Sequence, residues 1–167
     1  VMPKVVDHQQ QRQRIAAAAA EVIAQVGIDR VRLKDIAQHA NCTTGTLTYY
    51  FASKDELLIA VMDYLASRLS HNDSRKKTLV NEVLAQLPDN DVSLNEWRVW
   101  ISAWGRAVFS NSIMAIIQQY RDADRISNID MLQRYQAQGL LAENINVDIE
   151  AELLRLFING LGLSITL

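Results

Sequence analysis

The residues best suited to recognition chemistry form one short run of small hydroxyl and aromatic side chains. The run consists of Thr43, Thr44, Gly45, Thr46, Thr48, Tyr49 and Tyr50. Threonine hydroxyl groups hydrogen-bond phosphates or base edges, and threonine methyl groups contact the methyl group of thymine. Gly45 lets a helix backbone approach its target closely. Lys54 supplies a positive charge for a phosphate, and Arg32 is a second candidate. The pattern therefore predicts a surface that binds double-stranded DNA.

Bond-making chemistry has little support elsewhere in the sequence. The three histidines, His8, His39 and His71, fall in separate predicted elements, and no carboxylate pair or Cys-His pair has catalytic spacing. The sequence also contains no glycine-rich phosphate loop and no cluster of metal ligands. We therefore predict a protein that is not an enzyme and that needs neither cofactor nor metal. A small-molecule enzyme is the weakest alternative.

The composition is that of a globular protein in a reducing compartment. Hydrophobic residues make up 49% and charged residues 22% of the 167 residues, which suits a folded chain with a sizeable core. No run of about 18 apolar residues occurs, so the sequence predicts no membrane span. The first residues lack the features of a signal peptide. Cys42 is the single cysteine and excludes an internal disulfide, so we expect a cytoplasmic protein.

Apolar residues recur with helical spacing almost throughout, which predicts an all-α protein. A first helix is expected over about residues 9–26 and a second over about 33–40. Thr43 or Thr44 caps a third helix, whose inward residues begin with Leu47. The segment Ser53-Lys-Asp-Glu56 has the pattern of a capping box and opens the fourth helix. Two short helices joined by a tight turn and followed by a third are typical of a helix-turn-helix.

The remainder of the chain is predicted to be helical with interruptions. The polar stretch SHNDSRKK at 70–77 ends the fourth helix, and a fifth runs to about Leu87. A second capping box, Ser93-Leu-Asn-Glu96, opens a helix through Phe109. The apolar phase slips across residues 122–128, which predicts a helix break there. A last helix begins near residue 148.

Charge is distributed unevenly along the chain. Residues 1–54 carry seven Lys or Arg against four Asp or Glu, whereas residues 55–167 carry ten against fifteen. A basic first third on an acidic body favours a polyanion at the N-terminal end, although random scatter is the alternative. We predict two domains, a DNA-binding domain over 1–54 and a domain for effector binding and dimerisation over 55–167.

Several residues at fixed spacing resemble one known family. They are Gly27, Ile36-Ala37, Thr44-Gly45-Thr46-Leu47, Tyr49-Tyr50-Phe51, Ser53-Lys54 and Leu57-Leu58. Over about residues 10 to 60 the chain resembles the DNA-binding domain of the TetR family of repressors. The resemblance implies a homodimer of about nine helices per subunit, with the last helices at the dimer interface. It also implies a body that binds a small effector, whose binding releases operator DNA.

The chain departs from the family pattern at three positions. Arg32 stands where a Ser or Thr usually caps the second helix, so the cap is lost although the side chain still reaches toward phosphate. Asn41 replaces the turn glycine, and like Gly27 it stands where a left-handed backbone is expected. Thr48 replaces a frequent aromatic residue. The first and third departures put the phosphate contacts in doubt, and Tyr50 is also open to an alternative role in the core.

Three tryptophans, Trp97, Trp100 and Trp104, share one face of a predicted helix. Aromatic walls suit flat apolar ligands, or cations bound over the ring face. Four further residues are predicted to complete an effector pocket with them: Phe109, Met114, Ile117 and Tyr120. A stripe of core residues is the alternative explanation.

The last predicted helix is apolar on nearly all sides. One core cannot bury two faces of a helix, so a self-complementary two-fold interface is expected, with a fully internal helix as the alternative. The predicted interface consists of Leu153, Leu156, Phe157, Gly160, Leu161 and Ser164. Gly160 and Gly162 are expected to let partner helices approach closely.

Together these patterns predict a regulator of transcription. We expect a homodimeric, ligand-responsive repressor whose partners are double-stranded operator DNA and a small-molecule effector, with no membrane association. The alternative is a helical module that binds proteins through the same helix-turn-helix.

Overall fold

The computed structural model describes residues 8–69 and 78–167, and these residues form eight α-helices and no strands. In chain order the helices are α1 (His8–Val26), α2 (Leu33–His39), α3 (Thr44–Tyr50), α4 (Lys54–Leu69), α5 (Leu79–Leu84), α6 (Asp91–Ala107), α7 (Asn111–Ala137) and α8 (Val147–Thr166). The predicted all-α class is confirmed. The predicted polar break at 70–77 lies outside the described residues.

The first four helices pack around α1. Helix α1 contacts α2 and α4, and α2 contacts α3. The central residues are fully buried, namely Ile15, Ile23, Ile36, Leu47, Leu57, Leu58 and Met62. The turns have the left-handed backbone that the sequence predicts, with φ of 77° at Gly27 and 49° at Asn41. These two residues end α1 and α2 at the points where a residue with a restricted φ would be strained.

Local capping sets the starts of α3 and α4. The Thr43 side chain accepts a hydrogen bond from the Thr46 amide, and the Ser53 hydroxyl accepts one from the Glu56 amide at 3.0 Å. Both predicted caps are therefore confirmed. The Glu56 carboxylate reaches one residue further back than a capping box requires and accepts from the Ala52 amide at 2.9 Å.

The predicted cap of α6 at Ser93 is wrong by three residues. The side-chain oxygen of Asn90 accepts from the amides of Val92 and Ser93 at 2.9 and 3.1 Å, so Asn90 takes the capping role and the helix begins at Asp91. Ser93 faces back toward the loop, where its hydroxyl accepts from the amides of Asp89 and Asn90. Asn90 was not predicted as a cap, although asparagine caps helices as well as serine does.

Helix α7 is continuous, and the predicted break across 122–128 is wrong. Residues 121–127 are all exposed, whereas Asn128, Met131, Leu132 and Tyr135 are buried. A helix segment with no buried face has no reason to show an apolar stripe, so the loss of periodicity marked exposure instead of a break. The continuous helix also explains why the described residues form eight helices where about nine were expected.

The described residues divide into two compact units. The first holds residues 8–69 and 98–113, and the second holds residues 78–97 and 114–167. A domain boundary after residue 54 stays a prediction. None of the described helices is both long enough and apolar enough to cross a membrane.

Candidate nucleic-acid interface

Helix α3 has one anchored side and one exposed side. Leu47 is 1% exposed and Phe51, directly after the helix, is 3% exposed, so these two residues fix α3 in the core of the first unit. The opposite side carries the exposed residues Thr43, Thr44, Gly45, Thr48 and Tyr49, while Thr46 and Tyr50 are half-buried. This division is what a helix needs if it is held by a support and presented to a groove.

Internal hydrogen bonds already engage some of the predicted contact residues. The Thr43 hydroxyl lies 3.0 Å from both the amide and the hydroxyl of Thr46. The Thr48 hydroxyl donates to the carbonyl oxygens of Thr44 and Gly45, both at 3.1 Å. These three threonines therefore stabilise the helix itself, and Thr44 and Tyr49 are the side chains best placed to contact a ligand.

An aromatic cluster at the end of α3 was not predicted from the sequence. The rings of Tyr49 and Tyr50 meet edge to face with centroids 5.2 Å apart. The Tyr50 hydroxyl lies 3.1 Å from Nδ1 of His8, whose ring centroid is 6.3 Å from that of Tyr49. Tyr49 itself is 72% exposed. The cluster therefore contacts part of the Tyr49 ring, and most of the side chain stays exposed for contact with another molecule.

Arg32 and Lys54, the two predicted phosphate contacts, both have partners within the chain. Arg32 makes two hydrogen bonds to the carboxylate of Asp35, at 2.7 and 3.0 Å, and these raise the pKa of Arg32 and lower the pKa of Asp35. The Lys54 ammonium donates to the carbonyl oxygens of Ile28 and Asp29, at 3.4 and 3.2 Å. The phosphate contacts of Arg32 and Lys54 stay predictions. To contact DNA, either cation would have to share its hydrogen-bond donors between phosphate and its partner within the chain.

A charged network joins α6 to the helix-turn-helix within the first unit. Arg106, near the end of α6, donates to Asp55 in the first turn of α4 at 3.0 Å and to Asp29 after α1 at 3.3 Å. The Ser110 hydroxyl donates to the other oxygen of Asp55 at 2.6 Å. The Ser110 bond, together with the Arg106 guanidinium, holds the pKa of Asp55 below its usual value. Asp55 is therefore ionised at neutral pH and connects three segments.

The predicted effector residues divide between the two units. Trp100, Trp104 and Phe109 belong to the first unit, and Trp97, Met114, Ile117 and Tyr120 belong to the second. All three tryptophans are half-buried. Phe109 lies in the turn after α6 and is 88% exposed, so within its own unit it lies on the surface. The effector pocket as a whole stays a prediction.

Helix α8 has an inward face and an outward apolar face. Ala151, Arg155, Ile158 and Gly162 are buried, and Arg155 forms an ion pair with Glu152. The outward face carries Leu153 at 53%, Leu156 at 53% and Phe157 at 60% exposure, with Gly160 and Ser164 also exposed and Leu161 half-buried. The dimer interface on this outward face stays a prediction.

Gly162 has a different role from the predicted one. The Trp97 ring packs so closely on Gly162 that a Cβ atom there would overlap the six-membered ring, whereas at Gly160 nothing lies within 4 Å of an added Cβ. The prediction that Gly162 admits a partner helix is wrong, because it lies on the inward face of α8 and its close contact is with its own chain. Gly160 lies outside this packing.

The second unit also has an open, strongly charged cleft of about 480 Å³ between α7 and α8. Its lining consists of Gln118, Arg121, Asp122, Arg125, Glu152 and Arg155. Arg125 pairs with Asp148 at 2.7 Å, and the Arg155 side chain holds the pKa of Glu152 below its usual value. The sequence-based pocket shares no residue with this cleft.

The all-α architecture and the exposed, anchored α3 define the class of helix-turn-helix DNA-binding regulators. Sequence profiles agree with this class along most of the chain. The profile of bacterial regulatory proteins of the tetR family matches residues 15–61, and the profile of the C-terminal domain of BetI-type transcriptional repressors matches residues 76–167. The chain belongs to the TetR family. It is a DNA-binding transcriptional regulator and not an enzyme.

The chain is similar to relatives and solved structures that are themselves transcriptional regulators. The transcriptional regulator PksA of Bacillus subtilis is 29% identical over 97% of this chain and 82% of its own length. The regulator BetI of Burkholderia cenocepacia is 28% identical over 64% of this chain and 60% of its own length. A transcriptional regulator from Saccharomonospora viridis, solved in complex with choline, has a TM-score of 0.77 and 26% identity, covering 93% of this chain and 85% of its own. A TetR-family regulator from a Rhodococcus species has the same fold, with a TM-score of 0.77 and 23% identity over 95% of this chain and 88% of its own.

Proposed function

We propose that the chain acts as a homodimeric repressor that binds an operator through α3 and leaves it when a small molecule binds. The observation that carries the proposal is the geometry of α3. Its core side is held by Leu47, while Thr44, Gly45 and Tyr49 are exposed on the other. Small residues at the start of such a helix let the backbone approach the base edges, and Tyr49 supplies a larger contact at its end.

The outward face of α8 supports the dimer. Leu153, Leu156 and Phe157 recur on one side of the helix, and each is more than half exposed. A two-fold axis through this face would bury the same residues from both subunits. A single helix-turn-helix reads only a half-site, so pairing two of them about one duplex turn apart supplies the specificity of a regulator.

For the effector we propose a small organic cation. The support is the choline complex of the Saccharomonospora viridis regulator, together with the three half-buried tryptophans of α6. The face of an indole ring attracts a quaternary ammonium group, by roughly 0.5–2 kcal/mol for each ring. In this proposal the ring faces of Trp100 and Trp104, which both belong to the first unit, contact the cation. Phe109 is the weakest member of the predicted set because it is exposed.

Release from DNA would follow from a shift between two arrangements of the subunits. The effector can change DNA affinity only by the difference in its own affinity for the two arrangements. Helix α6 carries the predicted tryptophans and also carries Arg106, which bonds to Asp55 and Asp29. A movement of α6 would therefore act on α4 and on the turn after α1, and so change the spacing of the two α3 helices.

The DNA-binding role is tested by replacing Thr44 and Tyr49 singly with alanine. We expect each variant to bind a duplex selected by the unchanged protein from a random pool, or the DNA upstream of its own gene, about tenfold or more weakly. One good base contact contributes about 1–3 kcal/mol, and 1.4 kcal/mol corresponds to tenfold. The measurements are gel shift for DNA and sedimentation for the dimer.

Gln25→Ala is the matched control, since Gln25 is exposed at the end of α1, away from α3. It should bind like the unchanged protein. If both α3 variants kept full operator affinity, the helix-turn-helix would instead be a surface for another protein.

The effector class is tested by titrating choline into the complex with the selected duplex. We expect choline to release DNA, and the neutral isostere 3,3-dimethylbutan-1-ol to require at least a tenfold higher concentration, because it has the same shape without the charge. Equal potency of the two compounds would contradict recognition of a cation. Failure of both, with DNA binding intact, would reject choline-like effectors and leave the DNA-binding role in place.

A further inference from the structure

Arg12, in the first half of α1, contacts both ends of the junction between α3 and α4. One guanidinium nitrogen donates to the carbonyl oxygen of Tyr50 at 2.6 Å, and the other donates to the Glu56 carboxylate at 3.1 Å. The Cζ atom of the guanidinium lies over the Phe51 ring, 4.4 Å from its centroid. A single side chain from another helix thus bonds the last residue of α3 and the first turn of α4.

The chemistry of the junction explains why a cation belongs there. The last carbonyl groups of a helix have no intrahelical donor and carry partial negative charge. Glu56 also bonds to the junction itself, since its second carboxylate oxygen accepts a hydrogen bond from the Ala52 amide at 2.9 Å. The Ala52 amide, with the Arg12 guanidinium, holds the pKa of Glu56 below its usual value. The backbone of residues 50–52 is therefore held from both sides by groups that are charged at neutral pH.

A second residue of α1 contacts the exposed side of α3, which is the side proposed to bind DNA. His8 lies one turn before Arg12, and its ring contacts the Tyr50 hydroxyl and lies beside Tyr49. Arg12 and His8 therefore act on one site, the last turn of α3, from which the exposed ring of Tyr49 projects.

We infer that Arg12 is a positioning residue for DNA recognition, which sets the orientation of the last turn of α3 and with it the placement of Tyr49 on base edges. The inference rests on the proposed role of α3 in reading an operator. Arg12 acts through Tyr50 and Phe51 and makes no DNA contact in this role. It therefore contributes to the preference for one DNA sequence over others.

Arginine is required because one side chain must donate hydrogen bonds to two acceptors and also lie over an aromatic ring. Its planar fork donates to Tyr50 and Glu56 while its face lies on Phe51. Lysine keeps the charge but offers a single rotatable ammonium group and no flat face, so it cannot make all three contacts. Arg12→Lys therefore separates geometry from charge.

The test compares Arg12→Lys and Arg12→Gln with Arg14→Gln, which removes the same charge two residues away at an exposed position of α1. For each full-length variant, gel shift measures affinity for the selected duplex and for an unrelated duplex of equal length, and thermal denaturation measures stability. We expect both Arg12 variants to lose about tenfold or more of the preference for the selected duplex. Arg14→Gln should keep the preference, although its affinity for both duplexes falls equally with the lost charge.

A purely structural role would lower the melting temperature while leaving the preference unchanged, and that result would overturn the inference. So would an Arg12→Lys variant with the full preference of the unchanged protein. If the unchanged protein showed no preference for any sequence, the proposed operator-binding function would fail first, and the positioning role with it.

Discussion

Gly162→Ala is expected to lower the free energy of unfolding by roughly 1–3 kcal/mol, the usual cost of adding a methyl group to a packed interior. The added carbon would overlap the Trp97 ring, which lies directly on this glycine. The higher helix propensity of alanine offsets only about 0.5–1 kcal/mol. Thermal denaturation at fixed protein concentration should show a decrease of about 2–4 °C for each kcal/mol lost.

Gly105→Ala is the matched control, at an exposed glycine of α6 that lies outside the predicted dimer interface. Nothing lies within 4 Å of a Cβ atom at Gly105, so the gain in helix propensity should make this variant equal to or more stable than the unchanged protein. Gly162→Ala combined with Trp97→Leu should recover part of the loss, because the smaller side chain removes the overlap. Equal melting temperatures for the two alanine variants would contradict the Trp97–Gly162 contact.

Phe157→Glu is expected to convert the dimer to a monomer that remains folded. Phe157 is 60% exposed on the outward face of α8, so the substitution leaves the core of the monomer intact. A buried phenylalanine contributes about 1.5–3 kcal/mol and occurs twice in a symmetric dimer, so association of the proposed dimer should be weakened by roughly 3–6 kcal/mol, or about 10²- to 10⁴-fold. Sedimentation velocity measures the dissociation constant of the dimer directly. The affinity for the operator should decrease as well, because a monomer contacts only one half-site.

Ile126→Glu provides the comparison. Ile126 is 59% exposed on α7 in the same unit, so it controls for the loss of an exposed apolar side chain outside α8. That variant should remain dimeric with unchanged DNA binding. A dimeric Phe157→Glu protein would place the interface on another surface, and an unfolded one would show that α8 is needed inside the monomer.

The helix-turn-helix could be predicted from the sequence because its signals are local. Thr43 and Ser53 each cap a helix through an amide three residues ahead, and Asn41 and Gly27 adopt a backbone that few other residues tolerate. Such signals act within one turn and survive in any tertiary context. The division of α3 into an anchoring side and an exposed side was predictable for the same reason, since helical periodicity assigns the faces.

The second half of the chain was less predictable because its apolar pattern depends on what packs against it. The slip of phase in α7 was interpreted as a break, although it reflects two turns with no buried face. Ser93 was predicted to cap α6, and only the bonds of the folded loop show that Asn90 takes this role. The helix of the tryptophans was predicted to run through Phe109, yet α6 ends at Ala107 and leaves Phe109 at the surface.

The sequence by itself determined the helical class, the family and the residues that face outward on α3, because capping, backbone conformation and periodicity are properties of neighbouring residues. The tertiary structure alone decided which hydroxyl groups of α3 are already bonded, that Gly162 serves Trp97, and that α8 turns Arg155 inward and Phe157 outward. It also decided that Arg12 holds the end of α3 from 38 positions away. Each of these is a contact between distant segments, and no local pattern specifies which partner a side chain will meet.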